Sequence, residues 1–331
     1  MLLAAMFAIA PQQTAPEPQA PEAASFETFL TGVKEEALAR GIRAETVDRA
    51  FRDVTPAPVV VARDRNQPEI VQSLDTYLAQ RLTRRTIATA RDMAVRHRAV
   101  LSRVEVEFGV PRALMVAIWG LESNFGRFTG SYPTVQALAT LAFDNRRPLF
   151  RTELLDALTM IDRGLVTPEA MKGSWAGAMG QPQFMPSSFL RHAVDFDGDG
   201  AIDIWQSPAD VFGSMANYLR DKGWVRGERW GREVTVSRQV QAVIDRRVPM
   251  RASGCRATRA MTVERPLAEW DRLGVRLRGG RRLPTAGMDA SLVKGAKRSF
   301  LVYRNYEAII DYNCSHSYAL AAALLSDLMP E

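Results

Sequence analysis

Glu122 is the acid whose sequence surroundings stand out. The segment RALMVAIWGLESNF runs between Pro111 and Gly126. Pro111 can occupy a first helical turn, where its missing N–H costs little, and Gly126 can close a helix in the left-handed conformation. At 100° per residue Leu114, Ile118, Leu121 and Phe125 fall within one narrow arc, and Glu122 borders that arc beside Ile118. Desolvation at the margin opposes ionisation, and the negative end of the helix dipole opposes it further. Both effects favour a protonated carboxyl near neutral pH, which suits a general acid that protonates a leaving oxygen. The competing reading is a boundary glutamate that simply reaches solvent.

A second constellation is the run Asp195-Phe196-Asp197-Gly198-Asp199-Gly200-Ala201-Ile202-Asp203. It sets carboxylates at loop positions 1, 3 and 5, glycine at 6, the Ala201 carbonyl at 7 and an acid at 9, the spacing of a calcium loop. Position 12 is Gln206 in place of the bidentate glutamate of an EF-hand, so a structural ion fits better than a switch. An acidic Asx-Gly turn without an ion is the alternative. His97, His192 and His316 lack zinc-site spacing, and Met171, Met179 and Met185 read as gap fillers. Cys255 and Cys314 exclude a disulfide-dense scaffold and a four-cysteine zinc site, leaving either structural thiols or one bridge.

The words Glu122-Ser123-Asn124-Phe125-Gly126, Gly173-Ser174-Trp175-Ala176-Gly177-Ala178-Met179-Gly180 and Gln183-Phe184-Met185-Pro186-Ser187-Ser188 together resemble the membrane-bound lytic murein transglycosylase B family, in a soluble, periplasmic form. The resemblance runs from about Phe26 to the C-terminus and is dense from Gly109 to Trp230. It implies a lysozyme-like helical core that cleaves the MurNAc–GlcNAc β-1,4 bond of peptidoglycan and leaves a 1,6-anhydro-MurNAc end. By the same resemblance Glu122 is the single acid/base and Ser123, Ser174 and Gln183 line the cleft. Tyr312 and Asn313 reach it from near the C-terminus, and Arg146 and Arg147 form an arginine pair in the groove. Asp210 supplies the late carboxylate of a calcium site with Asp195, Asp197, Asp199 and Ala201. The chain departs from the family at Pro182, where a glycine is expected.

One acid suffices when the sugar's own acetamido oxygen attacks the anomeric carbon. Asp144 and Glu153, the other acids of this region, read as solvated. Two rivals stay open: a hydrolytic muramidase using the same acid with an activated water, and a noncatalytic, calcium-stabilised wall-binding module. A nucleic-acid binder lacks the required interleaving of aromatic and basic residues. Trp119, Trp175, Trp224 and Trp230 could stack on sugars or pack in a core, and Trp175 alone sits inside a cleft motif.

These residues need a scaffold, and 331 residues allow about two domains. With 47% hydrophobic and 24% charged residues the chain is globular, and no stretch approaches the ~20 apolar residues of a membrane-spanning helix. The net charge of +6 suits an anionic partner without choosing one. The expected fold is mainly α (α+β), a lysozyme-like core with an N-terminal helical domain and a small β-rich insertion, acting as a monomer with no organic cofactor. Residues 1–24 read as a signal-like segment and linker, and 25–108 as the helical domain. Residues 109–230 read as the core, 231–299 as the insertion and 300–331 as a segment returning to the core. Within these, a helical pair broken at Gly41 is expected over Phe26 to Phe51, and a long helix or helix pair over Pro68 to Phe108. Glu233 to Ile244 and Thr262 to Gly280 read as short strands, Phe300 to Tyr312 as a strand pair or extended segment, and Ser317 to Leu328 as a closing helix.

Overall fold

The computed structural model describes residues 25–65, 72–144 and 146–329. The signal-like segment expected over 1–24 lies outside them. Helix α1 (Phe26–Ala39) begins where the Ser25 hydroxyl accepts the Thr28 N–H, and Gly41 at φ 83° turns the chain into α2 (Ala44–Phe51). Next comes α3 (Pro58–Arg65). The stretch expected as one long helix or a pair is three helices: α4 (Leu74–Arg81), α5 (Arg84–Arg96) and α6 (Arg98–Phe108). The first break has a local cause, because the Thr83 hydroxyl accepts the Thr86 N–H and so starts a new helix. The second falls at His97, whose non-helical backbone ends α5 and precedes α6.

After the left-handed Gly109 comes α7 (Arg112–Ser123), which carries Glu122. The middle of the chain holds β1 (Tyr132–Pro133), α8 (Thr134–Phe143), α9 (Leu149–Asp162), β2 (Lys172–Gly173), α10 (Pro186–His192) and α11 (Pro208–Asp221). Strands β1 and β2 pair antiparallel. Then follow β3 (Gly231–Thr235), α12 (Arg238–Arg247), α13 (Arg256–Arg259), β4 (Arg265–Pro266), α14 (Leu267–Leu273), β5 (Arg276–Leu277), β6 (Asp289–Lys294) and β7 (Ser299–Val302). The chain ends with α15 (Arg304–Tyr312) and α16 (His316–Asp327).

The small sheet has order β4-β6-β7-β3-β5, every neighbouring pair antiparallel. It runs through Val302, past the expected limit at 299, and it contains more helix than the sequence pattern predicted. Ser237 accepts the Val240 N–H and starts α12 inside the segment expected as strand, and α14 interrupts the second such segment. The stretch from Phe300 likewise stays extended only to Val302 before α15 begins.

Three apolar clusters hold these elements. One unites α4 to α7, α11, α15 and α16 with Val293, Phe300 and Val302 of the sheet. A second packs Val33, Val47 and Val60 of α1 to α3 against Leu138, Leu154, Leu158 and Phe189 of α8 to α10. The third lies on the sheet's other face, where Leu292 and Leu301 meet Trp270 and Ile244. Alternation along β6 and β7 therefore serves two cores at once. The described residues of 25–108 divide between two cores: α1 to α3 belong with α8 and α9, while α4 to α6 belong with α7, α11 and α16. Cys255 and Cys314 are bridged, which ties α13 to the turn between α15 and α16.

Candidate active site

Helix α7 ends in a turn held against its own backbone preference. Asn124, Phe125 and Gly126 follow Ser123 at φ 50°, 59° and 78°. The left-handed region suits glycine and tolerates asparagine, but costs a phenylalanine about 1–2 kcal/mol. The helix thus closes at Asn124, ahead of the glycine expected to cap it. Ser123 is fully buried; its hydroxyl donates to Trp119 O at 3.1 Å and accepts the Gly126 N–H at 3.1 Å. It closes the turn and does not face the groove, contrary to the expected substrate contact. Phe125 packs onto Gly120, where a Cβ would meet the ring at 2.6 Å.

This turn points the Glu122 carboxyl into a half-buried place beside α15 and α16. Burial pushes its pKa from 4.5 up to about 7, and the neighbouring Tyr318 hydroxyl holds the rise back. That hydroxyl is buried and makes no bond of standard hydrogen-bond geometry among the described residues, so it acts on Glu122 at slightly longer range. Burial, and then the Glu122 charge, push the Tyr318 and Tyr312 hydroxyls well above 10. Both therefore remain neutral. The Tyr312 hydroxyl donates to Pro182 O at 2.7 Å, and its ring meets Tyr218 edge-on with centroids 5.0 Å apart.

The turn from Gly173 to Phe184 meets this place through Tyr312 and Pro182. Gly130 approaches it so closely that a Cβ would lie 1.9 Å from the Gly173 carbonyl carbon. The Ser174 hydroxyl accepts the Ala178 N–H at 3.1 Å. Met179 and Phe184 exchange both backbone hydrogen bonds, leaving Gln183 at the bend with φ 53°. The Gln183 amide donates to Gly180 O at 2.8 Å and to Thr129 O at 3.3 Å, joining the two loops. Pro182 fits this turn, and its carbonyl is the one that Tyr312 grips.

Tyr312 thus stands between the two parts, within reach of the Glu122 charge and bonded to the turn that carries Ser174 and Gln183. Asn313 follows Tyr312 with its side chain exposed. Arg146 and Arg147 both pair with the buried Asp64 of α3, at 3.4 and 3.1 Å. Glu153 is nearly fully buried and not solvated, because its oxygens accept the Ser187 N–H and hydroxyl at the start of α10. Asp144 is likewise held, by Arg65 at 2.6 Å. Trp119, Trp224 and Trp230 are buried and pack, while Trp175 is half-buried. Sequence reasoning missed Tyr318, which sits on the closing helix with no local signal, and Gln181, which falls between the two motifs ending at Gly180 and starting at Gln183.

In the acidic loop Asp195, Asp197 and Asp210 bring carboxylate oxygens within 4.8 Å of one another. Asp195 also accepts the N–H groups of Gly198, Asp199 and Gly200, and Asp210 those of Phe196 and Asp203. Asp199 falls outside the three-carboxylate group, since its Oδ1 accepts the Ala201 N–H of its own turn. Asp203 caps the Trp205 and Gln206 N–H groups. All-oxygen donors of this charge fit a hard cation such as calcium and do not suit zinc.

A family model described as Transglycosylase SLT domain matches residues 25–327. The chain is 45% identical over 131 residues to the membrane-bound lytic murein transglycosylase B of Escherichia coli (strain K12). That match covers 39% of this chain and spans 36% of the relative's length. Among solved structures, SltB3 from Pseudomonas aeruginosa in complex with NAG-anhNAM-pentapeptide is 40% identical with a TM-score of 0.82, covering 92% of this chain and 79% of that one. SltB1 from the same organism is 32% identical with a TM-score of 0.77, covering 91% and 97%. Escherichia coli Slt35 in complex with calcium is 26% identical with a TM-score of 0.75, covering 91% and 92%.

Proposed function

Since the chain belongs to the Transglycosylase SLT domain family, we propose that it is a peptidoglycan lytic transglycosylase that cuts the MurNAc–GlcNAc β-1,4 bond and forms 1,6-anhydro-MurNAc. The observation that carries this is the Glu122 carboxyl, lifted to about 7 by burial and flanked by the neutral Tyr312 and Tyr318. Protonated Glu122 gives its proton to the O4 of the departing GlcNAc as the MurNAc acetamido oxygen closes on the anomeric carbon. The resulting carboxylate then takes the proton of the MurNAc 6-hydroxyl. That oxygen displaces the acetamido oxygen from the anomeric carbon and closes the anhydro ring, so no water enters the product. Glu153 and Asp144, tied up by Ser187 and Arg65, leave the work to one acid.

Ser174, Gln183, Tyr312 and Asn313 line the sugar-binding groove around the acid, and Arg146 and Arg147 bind farther along it, exchanging part of their contact with Asp64 for anionic groups of the stem peptides. The relative solved with a NAG-anhNAM-pentapeptide supports a glycan-and-peptide ligand of this class. Asp195, Asp197 and Asp210, with the Ala201 carbonyl, would hold a calcium ion that stabilises the loop. The protein works as a monomer in the periplasm, where peptidoglycan lies and where a Cys255–Cys314 bridge persists.

Digestion of purified sacculi tests the reaction. Wild type should release fragments one water lighter than hydrolytic products, and Glu122→Gln should lose roughly a hundred- to ten-thousandfold in rate while still binding glycan. Reducing ends on every fragment would indicate a hydrolase, and a fully active Glu122→Gln would mean that another group is the acid.

A further inference from the structure

Gln181 is 7% exposed and touches three parts of the site. Its Oε1 accepts the Trp119 indole N–H at 2.7 Å, and its Nε2 donates to Trp205 O at 2.8 Å. Its backbone N–H donates to Ile204 O at 2.9 Å. The same Oε1 stands 2.6 Å from where a Cβ on Gly126 would be. One oxygen therefore bears on α7 three residues before Glu122 and on the turn four residues after it.

The Trp119 backbone is itself part of that turn, because its carbonyl accepts both the Ser123 hydroxyl and, at 3.4 Å, the Phe125 N–H. The indole is fixed edge-on by His97, Phe125 and Phe212, at 5.4, 5.7 and 5.2 Å between centroids. A shift of Trp119 would thus be carried into the backbone that aims Glu122. A neutral amide accepts from the indole and donates to the carbonyl at once, without placing a charge in this buried position.

We propose that Gln181 is a positioning residue, which sets the aim of the Glu122 carboxyl by locking the last turn of α7 to the Ile204–Trp205 end of the acidic loop. The inference rests on the reading of Glu122 as the acid. A general acid must lie within hydrogen-bond reach of the leaving oxygen, and a displacement of about 1 Å costs on the order of a hundredfold in rate. Gln181 meets no substrate; its effect passes through Trp119 and Gly126.

The test is a double-mutant cycle on Gln181→Met and Trp119→Phe, with kcat and KM measured on a defined glycan oligomer well below each variant's melting temperature. Each single change should lower kcat by about tenfold or more and leave KM within about twofold, since it misaims the acid without touching the groove. The double variant should be little worse than the poorer single, because both remove one hydrogen bond. A folded Gln181→Met enzyme with wild-type kcat overturns the proposal, as do losses that multiply in the double variant. If Gln181→Met does not fold, Trp119→Phe carries the test alone, and an unchanged kcat there also overturns it. Wild type and Glu122→Gln run alongside: no anhydro product from wild type, or an active Glu122→Gln, defeats the reading of Glu122. A wild-type kcat in Gln181→Met beside an inert Glu122→Gln defeats only the positioning role.

Discussion

Replacing Glu122 with glutamine should stabilise the protein, by an amount that depends on pH in a way fixed by the site. Burial lifts this carboxyl from 4.5 to about 7 in the folded chain. Between those pH values the folded chain holds a proton that the unfolded chain has released, so rising pH drives unfolding. At about 1.4 kcal/mol per pH unit, the lost stability is complete above pH 7 and amounts to ~3 kcal/mol. Glutamine is neutral throughout, and every other titration is common to both proteins and cancels in their difference. The variant should therefore melt with wild type at pH 4.5 and roughly 6 °C above it at pH 8, taking about 2 °C per kcal/mol for a chain of this size. Scanning calorimetry at fixed ionic strength across that range measures it. An equal difference at pH 4.5 and pH 8 would refute the claim that desolvation of this one carboxyl sets its proton affinity. If Glu122 is the acid, the kcat/KM of wild type on a defined glycan should fall as pH rises above about 7.

If Asp195, Asp197 and Asp210 hold calcium, chelation should lower the melting temperature and added calcium should restore it, since a ligand at a hundredfold excess over its Kd adds ~2.7 kcal/mol. An unchanged melt in EDTA, with no metal in the purified protein, rejects the site. Protein recovered from the periplasm should begin between about Pro11 and Ser25 and carry no free thiol, both read from one intact mass with and without reduction. Closing the 59-residue separation between Cys255 and Cys314 is worth roughly 4 kcal/mol in the chain-entropy account, so reduction should also depress the melt. Only cytoplasmic protein bearing Met1, or two titratable thiols, would count against export and the bridge.

What was legible in the sequence is what depends on near neighbours. The helix that carries Glu122 and the break at Gly41 follow from helical spacing and one glycine, but the single apolar arc expected on α7 does not hold, since every residue from Leu114 to Trp119 is buried while Leu121 is only half-buried. The mainly helical fold with a small sheet follows from the same signals. The segments misjudged are those where a short apolar run serves helix and strand equally, as in α12, α14 and the start of α15. Other misses depend on distant partners. Glu153 is buried because α10 docks on it, and Ser123 is buried because its hydroxyl is spent inside the turn. Tyr318 reaches Glu122 from a helix near the far end of the chain. Local pattern does not encode such meetings.

The costs of this fold gather around the proposed acid. Four described residues other than glycine have positive φ, and three of them, Asn124, Phe125 and Gln183, lie in the two turns that bound the acid. Glu122 is itself desolvated, and the Tyr318 hydroxyl beside it lacks a bond of standard geometry. Each of these features lowers stability, yet together they would hold one carboxyl, still partly protonated near neutral pH, in the place the proposed chemistry needs. Relief of any one of them by mutation should harden the protein and slow it, which is why the rise in melting temperature expected for Glu122→Gln and its loss of cleavage are two readings of the same buried proton.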